Sequence, residues 1–135
     1  MASILRVNTL TDASSNNSTA MSTINQGTAK SWVYLKGTDT FGIQDSFNTT
    51  SATDNGTGDY TTTRSNALSN DDYATSGIPS AASTGNAHYN FIVENQNNRT
   101  RTTTALRTWI LNADYGSTGA VDAIDYSMTF MGDLA

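Results

Sequence analysis

From Ser31 onward, short runs of β-branched and aromatic residues alternate with clusters of Asp, Asn, Gly and Ser. The clusters return at roughly eight-to-twelve-residue intervals, the spacing of an all-β sandwich or barrel. The last run is the cleanest: Ile124, Tyr126, Met128 and Phe130 alternate with Asp125, Ser127 and Thr129, which requires one buried and one wet face. Asp54-Asn55-Gly56-Thr57-Gly58-Asp59 is the strongest turn, because Asn-Gly reaches positive φ cheaply, and it predicts a hairpin returning through Tyr60–Arg64. No fixed-period repeat points to a solenoid or propeller. The expectation is an antiparallel β-sandwich, jelly-roll-like, of about seven to nine strands.

The character of the chain changes near residue 30, so residues 1–30 read as an extended N-terminal arm and 31–135 as the sandwich. Within the arm, Ile4–Leu10 reads as a strand or extended segment, Asp12–Asn17 as a turn, and Ser18–Ala29 as an irregular linker. Within the sandwich, strands are expected at Trp32–Leu35, Thr40–Gln44, Tyr73–Ser76, His88–Glu94 and Thr100–Leu111. Tyr89, Phe91 and Val93 should share a face, and the long strand should end in Leu106, Trp109 and Leu111. Gly77–Asn86, with the single proline Pro79, reads as a loop.

Core material is thin. Thr, Ser and Asn number 23, 15 and 14 of 135 residues, so strand faces should be largely wet and burial should be completed against further copies of the chain. The net charge is −5, with seven Lys and Arg; this offers no footprint for nucleic acid. No run reaches membrane-spanning length, so no membrane insertion is expected, and Met1–Asp12 lacks a signal-peptide core. With no cysteine, disulfides and thiolate metal sites are excluded. The Asn-x-Thr sequons at Asn48 and Asn98 are what chance gives in such a composition.

Catalytic constellations are poorly represented. His88 is the only histidine and no nucleophile elbow accompanies it. Glu94 is the only glutamate, and most aspartates sit in turns, where their side chains bond nearby backbone, so a glycosidase carboxylate pair is not expected. Asp54–Asp59 has the closely spaced oxygens of a calcium loop but lacks the full ligand pattern, and a hairpin explains it. The reading is of a non-enzyme with no cofactor and no metal. Tyr34, Tyr60, Tyr73, Tyr89, Tyr115 and Trp109 could stack on sugars, though alternation sends most aromatics to the core or a subunit interface.

Ile4-Leu5-Arg6-Val7-Asn8-Thr9-Leu10-Thr11-Asp12 is followed by Asn17-Ser18-Thr19-Ala20 and by Ile24-Asn25-Gln26-Gly27-Thr28-Ala29-Lys30 running into Ser31-Trp32-Val33. Asp45-Ser46-Phe47-Asn48, Asp54–Tyr60 and Asn66–Tyr73 come next, and Tyr126–Asp133 closes the chain. In this order the blocks resemble tail-fibre-type virion proteins of bacteriophages, especially marine phages and cyanophages. The resemblance covers roughly residues 1–73 and, more weakly, the last ten. It departs at Gln44, where those proteins usually carry a basic residue, and over 78–120.

The resemblance implies a virion structural protein, most simply a short tail fibre or fibre-type adhesin; the alternative is a capsid decoration or cement protein, or another tail or baseplate component without host binding. It implies a homotrimer in the virion, contact with other phage virion proteins, and a host surface receptor or glycan as the outward partner. Ile4, Leu5, Val7 and Leu10 are then the expected attachment residues. Pro79, Asn86, Asn97, Arg99 and Arg101 are the expected residues of exposed recognition loops.

Overall fold

Strands with one apolar and one polar face must pair and then stack, and a computed structural model describing residues 4, 6–80, 89–94, 101–114 and 117–135 has the chain doing so. Its elements are β1 (Thr9–Thr11), β2 (Ser18–Ala20), α1 (Met21–Gly27), β3 (Ser31–Lys36), β4 (Gly42–Phe47), β5 (Thr49–Gly56), β6 (Asp59–Arg64), β7 (Ala74–Pro79), β8 (Tyr89–Glu94), β9 (Ala105–Asp114), β10 (Ser117–Ala120) and β11 (Asp125–Met131). One sheet has the order β4-β3-β11-β7. In the other, β9 carries β8 on one edge and β6 followed by β10 on the other, with β5 outside β6. All pairings are antiparallel. The expected all-β sandwich is what the chain forms.

The alternating C-terminal strand sits at the centre of the first sheet. Tyr126, Met128 and Phe130 of β11 are buried with Val33 and Leu35 of β3, against Tyr60, Leu106 and Ile110 of the other sheet. Tyr60 stacks between Phe41 and Tyr126, with ring centroids 5.3 and 6.0 Å away. Aliphatic residues are few, so hydrogen-bonded hydroxyls complete the filling. The Tyr126 and Thr108 hydroxyls lie 3.1 Å apart, and Tyr73 donates to the Ala105 carbonyl at 3.2 Å. Burying such groups costs little once they are paired.

Asp122 ties the two layers together. Its Oδ1 accepts from the Gly58 amide at 2.7 Å and from the Tyr60 hydroxyl at 3.0 Å. Asp122→Ala leaves two donors without their acceptor and is expected to lower stability by about 2 kcal/mol. Chemical denaturation with an unchanged midpoint would contradict this.

Arg64 is buried without a carboxylate on its guanidinium. Nε and Nη2 donate to the Thr103 and Thr102 carbonyls at 3.2 and 2.9 Å, and the group lies over the Tyr73 and Phe130 rings at 4.5 and 4.8 Å. Carbonyl dipoles and ring faces replace the counter-ion.

The residues before Ser31 are less extended than expected. β1 and β2 form a hairpin, and α1 follows where an irregular linker was expected. The helix is only seven residues long, has no side-chain cap and buries nothing, so its sequence carries neither a cap signal nor an apolar stripe. The turn at Asp12–Asn17 forms as expected. Asp12 accepts from the Asn17 side chain at 2.8 Å and the Asn16 amide at 3.0 Å. Chiefly the Asn17 bond holds its carboxyl below the ordinary 3.8. A depressed folded value stabilises the turn above 3.8 and loses that contribution as pH falls through the folded value. The Asn16 amide resonance should therefore move toward its unstructured position only below that pH; an earlier shift would contradict the bond.

Three other expectations are corrected. Gly77–Asn86 is not all loop, because β7 runs to Pro79. This is an edge strand, where the missing N–H is tolerated. On β8, by contrast, Phe91 and Val93 share a face as expected, pairing with Leu111 and Trp109 on the outer side, while Ile92, opposite Ile110, points inward. On β9 the buried residues are Leu106, Thr108 and Ile110, and the hydroxyl at Thr108 hides the apolar period. Finally, β4 spans Gly42–Phe47, with a register shift that leaves Gln44 without a partner on β3. This bulge lets Ile43 pack on the core while Asp45 and Phe47 face solvent.

Candidate functional site

The bulge in β4 and the alternation of β3 together create the surface with the most chemistry, the outer face of the four-stranded sheet. Val33 and Leu35 point inward, so Trp32, Tyr34 and Lys36 point outward. The register then fixes their neighbours. Phe47, Trp32, Thr129 and Ser76 form one row across the four strands, and Asp45, Tyr34, Ser127 and Ile78 form the next. Phe47 is 53%, Tyr34 40% and Ile78 75% exposed, and Trp32 is half-buried. Directly opposed side chains on such a face stand about 5 Å apart, and residues two along a strand about 7 Å. Three aromatic rings thus stand together on β4 and β3, bordered by hydroxyls on β11 and β7 and by the Asp45 carboxylate, on one twisted platform.

Two of the polar groups are held in place. Asp45 Oδ1 accepts from the Ser46 amide at 2.8 Å. The Tyr34 hydroxyl faces the Asp125 carboxylate, whose hydrogen-bonding influence first, with some desolvation, raises the phenol above its ordinary 10.0. Tyr34 therefore stays a neutral donor across the physiological range. Lys36 is occupied by Asp39 at 3.0 Å.

The platform runs into a concave site at the end of the sandwich where the preceding segment joins. Phe47 belongs to both. This pocket, of about 450 Å³, is also lined by Lys30, Asn48, Ser65, Asn66 and Leu134. Asn48 adopts φ 52° and organises the wall. Its Nδ2 donates to the Lys30 carbonyl at 2.9 Å, and its Oδ1 accepts from the Asn66 amide at 2.7 Å. The volume falls within the range of small-ligand sites.

The other residues singled out in the sequence fall as follows. Ile4, Val7 and Leu10 are exposed, and Leu5 lies outside the described residues, as do Asn86, Asn97, Arg99 and His88. Pro79 closes β7 and, with Asn90, Ile92 and Met128, lines a cleft of about 500 Å³ between the edges of the two sheets. Arg101 is half-buried. It donates to Glu94 at 3.1 Å and to the Tyr73 carbonyl at 2.7 Å, and lies 4.6 Å over the Tyr73 ring. Of the aromatics named as sugar-stacking candidates, Tyr60 and Tyr73 are core, Trp109 is half-buried on the opposite sheet and Tyr34 is exposed. The side chains of Tyr89 and Tyr115 lie outside the described set. Sequence reasoning placed Trp32 and Tyr34 within one apolar run and Phe47 in a stretch leading into a Thr-rich strand; the pairing of β4 with β3, past the bulge at Gln44, puts Phe47 beside Trp32.

The acidic turn is occupied internally. Asp54 Oδ1 accepts from the Gly56 amide at 2.9 Å, and Asp59 forms a two-point pair with Arg107 at 2.7 Å for each bond. Among the described residues no three Asp, Glu or His side chains converge on a common point. No family model, no curated protein and no solved structure matches the chain.

Proposed function

We propose that this chain is a non-catalytic structural module of a bacteriophage particle, a short tail fibre or fibre-type adhesin that attaches through residues 1–30 and presents the sandwich outward. The observation that carries the reading is the contrast between the two parts. The segment before Ser31 buries almost nothing and leaves Ile4, Val7 and Leu10 exposed, as a segment completed by a neighbouring protein would. The sandwich has its own core and a well-defined aromatic face. The ordered resemblance of residues 1–73 to tail-fibre-type proteins supports the same assignment.

Self-association, as a homotrimer, is part of this reading. Phe91, Leu111, Val93 and Trp109 form adjoining cross-strand pairs on the outer face of the five-stranded sheet. An apolar cluster facing outward from a sheet is the kind of surface a second copy covers.

Quantitative mass spectrometry of purified particles tests the assignment. A handful to a few dozen copies per particle is expected; hundreds would indicate capsid decoration, and absence would overturn the virion reading. Replacing Ile4, Leu5, Val7 and Leu10 by serine should abolish incorporation while leaving the sandwich folded.

A further inference from the structure

We propose that the outer face of the four-stranded sheet is a glycan-binding platform, with Phe47, Trp32 and Tyr34 as stacking surfaces for neutral or amino-sugar chains. This names the outward ligand of the adhesin reading and rests on that reading for its biological setting.

The register supplies the first argument. Between Phe47 at one edge and Ile78 at the other, three strand spacings of about 4.8 Å and two residues along the strand separate the side chains. The path is long enough for a short oligosaccharide and too long for a single ring. Sugars present apolar C–H faces and polar rims in alternation. On this sheet, the Phe47, Trp32 and Tyr34 rings stand together on β4 and β3, bordered by the Ser127, Thr129 and Ser76 hydroxyls and by the Asp45 and Asp125 carboxylates.

That polar border also selects against a protein partner. A dry protein interface over these rows would bury the two carboxylates and the serine hydroxyls, each needing its own partner. A polyhydroxylated ligand brings such partners with it, and water can bridge the remainder.

Charge narrows the class. The charged groups on and beside the rows are Asp45, Asp125, Lys36 and Asp39, giving three negative charges and one positive, a net of −2, and Lys30, which lines the adjoining pocket, is bonded to the Asn25 carbonyl and the Thr28 hydroxyl. Lys36 is already paired with Asp39. Uronic, sialylated, sulfated or phosphorylated chains would meet repulsion, with both lysines already engaged. Neutral chains meet none, and an amino sugar gains attraction from Asp45.

The pocket adjoining Phe47 fixes an end. Its Asn66 and Ser65 side chains stand beside an exposed ring, so a terminal sugar can stack on Phe47 while its hydroxyls reach the amide. The chain then extends over Trp32 toward Tyr34.

The test uses the full chain on an array of neutral, N-acetylated and free-amino oligosaccharides, with uronic and sulfated chains as comparators. Binding confined to the first three classes is expected. Titration of a hit into a Trp109→Phe variant should change the fluorescence of Trp32, the remaining indole. Tyr34→Ala combined with Phe47→Ala should weaken binding at least tenfold with an unchanged circular-dichroism spectrum and melting temperature. Phe91→Ala, on the opposite sheet, should bind as the parent does. Failure of all neutral and amino chains to bind, preference for acidic chains, or full affinity in the double variant would each overturn the proposal. If the array is blank while the chain is counted in purified particles, this proposal fails and the virion reading stands. If chains bind but particles lack the protein, the reverse holds.

Discussion

Gly58→Ala is expected to destabilise the sandwich by about 3 kcal/mol or more, from backbone strain and overpacking together. Gly58 has φ +64°, where a Cβ meets the following carbonyl. An added methyl would also lie 2.5 Å from the Val121 carbonyl oxygen and 2.7 Å from that of Ile110. Both are backbone atoms and cannot swing aside. Gly58 further donates to Asp122 and accepts from the Ile110 amide at 2.8 Å, so displacing it loosens the β5–β6 hairpin from β9 and from the segment leading into β11. Gly119→Ala, with open space at its Cβ, is the control and should be near neutral. Equilibrium denaturation in urea measures both. Equal midpoints for the two variants would show that Gly58 is not the pivot of this packing.

Phe130→Ala is expected to cost about 4 kcal/mol, within the range for removing a buried aromatic ring. Phe130 is fully buried at the end of β11. Its ring meets the Tyr73 ring edge-on at 6.0 Å and covers the Arg64 guanidinium at 4.8 Å. The loss therefore combines a cavity with partial exposure of a buried charge that has no carboxylate bonded to it. Domains of this kind have only about 5–15 kcal/mol in all, so the variant should melt far below the parent. Phe130→Leu should fall between them. A melting curve for Phe130→Ala that overlays the parent would contradict the assigned core.

The sandwich was legible because its signals are local. The Asn-Gly turn, the alternation of β11 and the β-prone run at Trp32–Leu35 each specify a strand or turn without help from elsewhere. The errors came where packing decides. Thr108 is buried and hydroxylated, so the apolar marks Leu106, Trp109 and Leu111 do not give the phase of β9, whose inward residues are Leu106, Thr108 and Ile110. α1 has no stripe to detect. The candidate platform was least legible of all. Tyr34 was among the stacking candidates and Trp32 shares its face by the alternation of β3, but Phe47 joins them only through an antiparallel register and a bulge at Gln44, and neither is written in any single segment. The pocket beside Phe47 draws on four separate stretches of chain, held by the positive-φ Asn48.

Cryo-electron microscopy of the intact particle tests the central claim most directly. Sandwiches in trimeric groups at the tail are expected, residues 1–30 against other virion proteins and the Trp32–Tyr34–Phe47 face open to solvent. A chain absent from the particle, or that face packed against a neighbouring subunit, would contradict it.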